Sequence, residues 1–370
     1  LFDFHCVVPS SFPIKAERSN QECVNSSPDS QTSNINIFYR LDYLQSQLYH
    51  ILVLILGKTI VREDGAFVYE IAVVTDLDHE SKSSTKKNTW QSFMKKGVIT
   101  VSADRTTASV IWHDGKEILL TSSFSAGGRS MELSDLGIFN GHLVSIDDRT
   151  GLIYIIEDDE ARPWVFLSDG PGNVTKGFKG EWLTVKDGEL WVGGLGKEWT
   201  TTEGVFVNHN PMWVKRVTVD GCVTHVNWVE NYKKLRLATG ITYPGYMIHE
   251  SAQWSDIHRK WFFMPRRASN EMYTEAADET RGTNYLLVAS EDFSTVEVRI
   301  VGKRVGPRGF SAFQFIPETN DKLIVALKSE EKDGIPVASY ITIYDFEKNI
   351  VLLDEQPLQE PYKYEGIAFI

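Results

Sequence analysis

The chain has 370 residues, 42% hydrophobic and 12% aromatic, enough for one large β domain or two ordinary domains with a sizeable core. Its formal net charge of -12 repels polyanions at long range, and no basic stripe appears, which argues against nucleic acid as a partner. An anionic substrate would need a cation or a local basic cluster to offset that field.

Residues 1–65 are set apart as an N-terminal segment, and a single domain is expected over 66–370. Within the segment, 18–36 ("RSNQECVNSSPDSQTSNIN") has the Ser- and Asn-rich composition of linker or disordered chain. The apolar run 51–57 ("ILVLILG") is too short to cross a bilayer. It reads either as the core of a signal peptide or as a short buried strand or helix turn. With no initiating Met, the start reads as a fragment or an altered N-terminus. No run of 18 apolar residues occurs, so no membrane span is expected. Cys6, Cys23 and Cys222 make a poor disulfide framework and show no metal-ligand spacing. Cys6 can bridge to Cys23, and Cys222 is expected as a small buried strand residue. Glycosylation sequons at Asn25 and Asn173 point mildly to a secretory route.

From Val68 onward, short β-type runs alternate with turns: "YEIAVVTDLD", "GVITVSA", "HLVSIDDRTGLIYIIE", "ELWVGGLG", "KLIVALKSEE" and others. Helical periodicity is scarce. Residues 88–97 ("NTWQSFMKKG") and 228–240 ("WVENYKKLRLATG") are the two candidates for a short helix or loop. An oxygen-bearing residue opens a strand–turn–strand unit again and again, at Asp78, Glu132, Glu181, Glu250, Ser311 and Glu365. Intervals of about 50–70 residues with several strands each are the mark of propeller blades. Six markers delimit five blades, and the C-terminal "KYEGIAFI" is expected to pair with early strands and close the ring. The fold class is therefore all-β, a five-bladed β-propeller with a central channel; a β-sandwich would not restart on a recurring acid.

In a propeller the innermost strands line the channel, so the recurring residues would face one axis. Carboxylates brought together repel unless neutralised, and Ca²⁺ accepts six to eight oxygen ligands in flexible geometry. A channel-bound Ca²⁺ is one reading, and an acid ring solvated by channel water is the other.

"RSMELSDL", "SIDDRTG", "KGEWLTVKDGELWVGGLGKEWT", "PGYMIHESAQWSD", "WFFMPRRAS", "GFSAFQFIP" and "KYEGIAFI" together resemble the calcium-activated nucleotidase (apyrase) family over about residues 68–370. The resemblance implies a five-bladed propeller with Ca²⁺ near the channel centre. The implied activity is hydrolysis of nucleoside di- and triphosphates to the monophosphate and phosphate. It implies Ser134, Glu181, Glu250, Ser311 and Glu365 as calcium ligands, so that Ser134 replaces Glu132 as the ligand of its blade. It implies Asp78, Glu132, Asp135 and Asp148 as the carboxylates from which the water-activating group comes. Lys197 and Arg266 would meet phosphate, and Trp199 would stack the base. A homodimer and a secreted or secretory-pathway (endoplasmic reticulum or Golgi) location also go with the resemblance.

The residues carry plainer readings as well. "VGGLGKEWT" is not a P-loop, because the spacing before Lys197 is wrong; a glycine-rich turn explains it. Trp199 can be a packing aromatic. Asp147 and Asp148 can cap a turn, and Arg149 would brace that loop through an ion pair. Because a strand alternates faces, Arg266 and Arg267 are not both expected at one site, and Arg267 is assigned to a surface ion pair. His249 is expected to be structural. Two other functions stay open: a calcium propeller hydrolysing another ester or a lactone, and a non-catalytic interaction module.

Overall fold

The computed structural model describes residues 59–370. Cys6, Cys23, Asn25 and the 51–57 run lie outside the described residues. Five antiparallel sheets follow one another along the chain. Blade 2 spans 133–166, blade 3 spans 182–227, blade 4 spans 252–300 and blade 5 spans 308–357, each with four strands in sequence order from the inside out. Blade 1 takes Phe67–Asp76, Trp90–Val101, Ala108–Trp112 and Ile118–Ser122 from the beginning of the described chain, and its innermost strand, Lys363–Phe369, from the end. Ile71 pairs with Phe369 and Val73 with Ile367, so the expected closure of the ring is observed. Ile60–Val61 pairs with Phe67–Val68 and already belongs to this blade.

Strand periodicity explains how the blades pack. Successive side chains point to opposite faces. Ile71 and Val73 enter a cluster shared with blade 5, while Ala72 and Val74 enter one shared with blade 2. Phe262 packs toward blade 5 and Phe263 toward blade 3 in the same way. Each of the five wedges between blades thus holds its own apolar cluster. The wedge between blades 3 and 4 is aromatic, with Trp228 edge-on to Trp261 at 4.9 Å. Gly193 is required there, since a Cβ would stand 2.0 Å from the Trp182 ring.

Turn chemistry sets the hairpins. Asn140–Gly141 and Asp187–Gly188 all have positive φ (48°, 78°, 53° and 76°), the signature of the tight turn that joins right-twisted strands. Two expectations need correction. Residues 88–97 are not helical: Trp90–Val101 is a strand whose burial alternates, and its pairing with two neighbours overrides local helix propensity. The 228–240 stretch does form a helix, Val229–Ala238. Asp78 does not open an inner strand. It sits in the loop after Phe67–Asp76, and the C-terminal strand takes the inner place of that blade. Cys222 is half-buried in the turn between Trp213–Val217 and Val223–Asn227 rather than buried in a strand. No helix of the described residues is long and apolar enough to cross a membrane.

The inner strands are laced around the axis by polar side chains. Asp135 accepts the amides of Leu136 and Leu183, both at 2.8 Å, joining blades 2 and 3. Gln253 donates to Leu183 O at 3.3 Å and Phe313 O at 3.1 Å, joining blades 3, 4 and 5. The Ser311 hydroxyl donates to Tyr364 O at 2.8 Å, joining blades 5 and 1. Removing the Asp135 carboxylate strands two buried amides. Asp135→Ala is expected to cost about 2–4 kcal/mol in urea unfolding; a loss under 0.5 kcal/mol would show that this brace is dispensable.

Candidate functional site

Three inner strands carry a bulge at a matching place. Pairing steps over Ser134 in blade 2, Ser311 in blade 5 and Glu365 in blade 1, so each is the extra residue on its strand. A bulged residue leaves the ladder and is re-aimed. In blades 3 and 4 the equivalent positions are Glu181 and Glu250, just ahead of the strands Trp182–Lys186 and Ala252–Ser255. The five residues expected as calcium ligands therefore occupy corresponding sites in all five blades.

A cavity of about 300 Å³ opens where the inner strands begin and the second strands end. Every side chain lining it is charged, with ten carboxylates and six cations, a formal excess of four negative charges. Asp76, Glu132 and Asp148 are buried there, each offering an oxygen within 4.8 Å of the others'. At that spacing two carboxylates repel by about 3 kcal/mol at an effective dielectric of 20. Burial, then Asp76 and Asp148, push Glu132 up to about 8 against the Arg129 guanidinium. Burial raises Asp76 to about 6, opposed by Lys363. Hard oxygens packed this tightly form a group suited to a divalent cation.

Lysines stitch this triad to the ring of glutamates. Lys179 pairs with Asp148 and lies 2.9 Å from Glu181; Lys363 lies 2.6 Å from Asp76 and 3.7 Å from Glu365. Burial, with Asp148 and Glu250 adding to it, raises Glu181 to about 8 despite Lys179. Burial also drives Glu365 well up, with Lys363 and Arg266 opposing. Asp148 Oδ1 and Ser134 Oγ are buried without a hydrogen-bond partner among the described residues.

The expected residues divide, and of the five expected calcium ligands Ser134 and Ser311 are buried outside the charged lining. Asp78, Glu132, Asp148, Glu181, Glu250, Arg266 and Glu365 line the cavity. Asp135 does not, because both its oxygens hold backbone amides. Lys197 also lies outside the lining, donating to Glu198 O at 3.0 Å and Thr200 Oγ1 at 3.2 Å, with its ammonium 4.1 Å from the Tyr273 ring centre. Trp199 carries the Lys176 ammonium over its ring at 4.4 Å and packs beside Leu195, Tyr246 and Ile248. The glycines around Lys197 serve packing: a Cβ on Gly196 would lie 2.4 Å from Tyr232. Asp147 is the turn cap, taking Ser130 Oγ, Met131 N and Thr150 Oγ1, which leaves Asp148 to face the cavity. Arg149 is exposed on the rim and makes no ion pair among the described residues, contrary to the bracing role expected of it.

Arg267 is a further correction. It is 2% exposed, not on the surface, and lines the cavity with Arg266. Arg266 precedes the strand, so the two arginines are not bound to opposite faces; only Arg267–Ser269 is paired, with Tyr246–Ile248. His249 is fully buried against Phe263 and Tyr232, with neither ring nitrogen hydrogen-bonded among the described residues, and burial pushes it down to about 3. Asp76, Arg129, Lys179, Glu331 and Lys363 were missed. A signal existed for two of them. "KGE" and "KYE" place Lys179 and Lys363 two residues before a ring glutamate, where the period of a strand puts both on one face.

The fold and site define a β-propeller whose channel mouth carries a buried acidic cluster suited to a divalent cation. The profile of the apyrase family matches residues 77–370. An apyrase from Caenorhabditis elegans, apy-1, is 59% identical over 308 residues, 83% of this chain and 86% of that protein. Soluble calcium-activated nucleotidase 1 of Rattus norvegicus is 54% identical, covering 84% of this chain and 75% of its own length. An apyrase of Cimex lectularius is 45% identical over 84% of this chain and 85% of its own. The chain belongs to the apyrase family.

Burial works against the charge of Asp78, but Lys363, then Lys179 and Arg129, outweigh it and hold the carboxyl down to about 2. Its pKa is depressed on folding, so its stabilisation is present above about 4 and is lost as pH falls toward 2. Between pH 5 and pH 2.5, Asp78→Asn is expected to lose about 1–2 kcal/mol less than the parent in urea unfolding. Parallel losses would contradict the assignment.

Proposed function

We propose that this protein hydrolyses nucleoside di- and triphosphates to the monophosphate and inorganic phosphate, with Ca²⁺ as the activating cation. The observation that carries the reading is the wholly charged mouth, with carboxylates contributed from all five blades, in a chain more than half identical to a calcium-activated nucleotidase. The donor set fits calcium: all are hard oxygens, they exceed four in number, and the buried Ser134 hydroxyl has no other partner. Ser134, Glu181, Glu250, Ser311 and Glu365 are assigned as its holders, three of them freed from the ladder by bulges. When bound, the ion would supply charge neutralisation and polarisation at a phosphoryl oxygen.

The chain's own residues supply the rest. Phosphoryl transfer asks for position and electrostatics more than covalent help. Arg149, exposed at the rim, and Lys179, half-exposed in the cavity, are placed to meet phosphate oxygens. Asp148 is the favoured water-orienting group, since Lys179 fixes one of its oxygens and the other is unpartnered. Glu132, whose two oxygens accept from Arg129 Nε at 2.7 Å and Nη2 at 2.5 Å, stands beside Asp148 as a second carboxylate at the reacting end of the cavity. Asp135 drops out of this group. Lys197 and Trp199 would serve the nucleoside rather than the reacting phosphate, as they lie outside the charged lining. A lactone or ester hydrolase built on a metal-facing His and Asn set is not favoured, because the lining is Asp, Glu, Arg and Lys. A secreted or luminal location belongs to this reading, and the exposed sequon at Asn173 supports it.

Phosphate release from ADP, GDP and UDP, measured with Ca²⁺ and with excess chelator, tests the proposal. Release with calcium and its loss on chelation are expected, together with a fall of about 100-fold or more in Glu181→Ala. No release from any of the three, or full release in chelator, would overturn it.

A further inference from the structure

We propose that Arg266 is an internal competitor of the divalent cation, so that filling the ring releases its guanidinium toward phosphate. The inference rests on the reading above that the cation is held by the ring that includes Glu250 and Glu365.

The guanidinium is 4% exposed and needs anionic partners where it stands. Its Nη1 donates both to Glu250 and, at 2.6 Å, to Glu365, while Nη2 donates to Glu331. Glu250 belongs to blade 4 and Glu365 to blade 1, with blade 5 between them. One nitrogen thus engages carboxylates of two non-adjacent blades, both of them among the residues that would hold the cation. Two cations in contact with the same pair of carboxylates repel each other, so occupancy by one weakens the hold of the other.

The neighbourhood favours release of one arm over displacement of the whole side chain. At Gly309 a Cβ would lie 2.4 Å from Arg266 Cγ, so the stem is boxed in by the inner strand of blade 5. Glu331 lies outside the ring of five donors and can keep Nη2 while Nη1 turns away. The freed arm faces a cavity whose expected occupant carries phosphate, and planar guanidinium is suited to that anion. Cation binding thereby prepares the anion site, and Arg266 acts as a positioning and binding residue at once.

Arg267 provides the control. It is adjacent, buried and lines the same cavity, but its carboxylate contacts are Asp278 and Glu331, both at 3.9 Å, and neither is in the ring. Calcium titration calorimetry on the whole chain, without nucleotide, should show Arg266→Gln binding calcium about tenfold more tightly than the parent. Arg267→Gln should shift affinity by less than about threefold. Equal shifts in the two variants would reduce the effect to net charge and overturn the proposal, as would unchanged or weaker binding in Arg266→Gln. A crystal structure of the parent with calcium decides the matter even if a variant fails to fold. Calcium in the ring with Arg266 Nη1 turned away from Glu250 and Glu365 supports the proposal. Calcium in the ring with both contacts kept contradicts it. Calcium bound elsewhere sinks the underlying assignment of the ring.

Discussion

Repulsion among buried carboxylates governs this molecule. Glu132 and Glu181 are both raised to about 8, and Glu365 well above its ordinary range, because burial and neighbouring acids oppose their charge. Lys179, Lys363 and Arg266 reduce the strain, yet ten acids still face six bases in the cavity. An arrangement of this kind is costly to fold, and a bound divalent cation would offset that cost. The same ion and the same lysines would then face an anionic substrate that the overall charge of -12 would otherwise repel.

The propeller makes such concentration feasible. Five inner strands converge, and the rest of each blade gives an apolar wedge that fixes its angle. Bulges at Ser134, Ser311 and Glu365 turn single residues out of the ladder without breaking the strands. Ring closure by Lys363–Phe369 does two tasks together: it completes blade 1, and it delivers Lys363 and Glu365 to the mouth. Stability and site are thus coupled through one C-terminal strand.

Blade number and closure could be read from the sequence because most blades repeat an oxygen at their opening; Ser134, in place of the repeat's Glu132, came from the family resemblance and not from the spacing. The strand Trp90–Val101 was misread because its local composition suits a helix and only its partners make it a strand. Asp78 was miscounted since a spacing cannot tell an inner strand from a loop. The family resemblance put Asp135 among the site carboxylates, but its oxygens hold the Leu136 and Leu183 amides, and the bulge at Ser134 that turns it away leaves no mark in composition. The opposite error befell Arg267, where strand alternation was applied to a loop residue and its neighbour. Arg129 and Glu331 reach the site from a turn and a long hairpin, at distances along the chain that no local pattern encodes.

The account stands or falls on a cation that relieves the crowding of acids. Calorimetric unfolding of the whole chain over rising calcium, from micromolar to millimolar, tests this directly. Once calcium exceeds its dissociation constant, each further tenfold increase is expected to add about 1.4 kcal/mol per bound ion, seen as a steadily rising midpoint. A midpoint that does not move across that range would contradict the account.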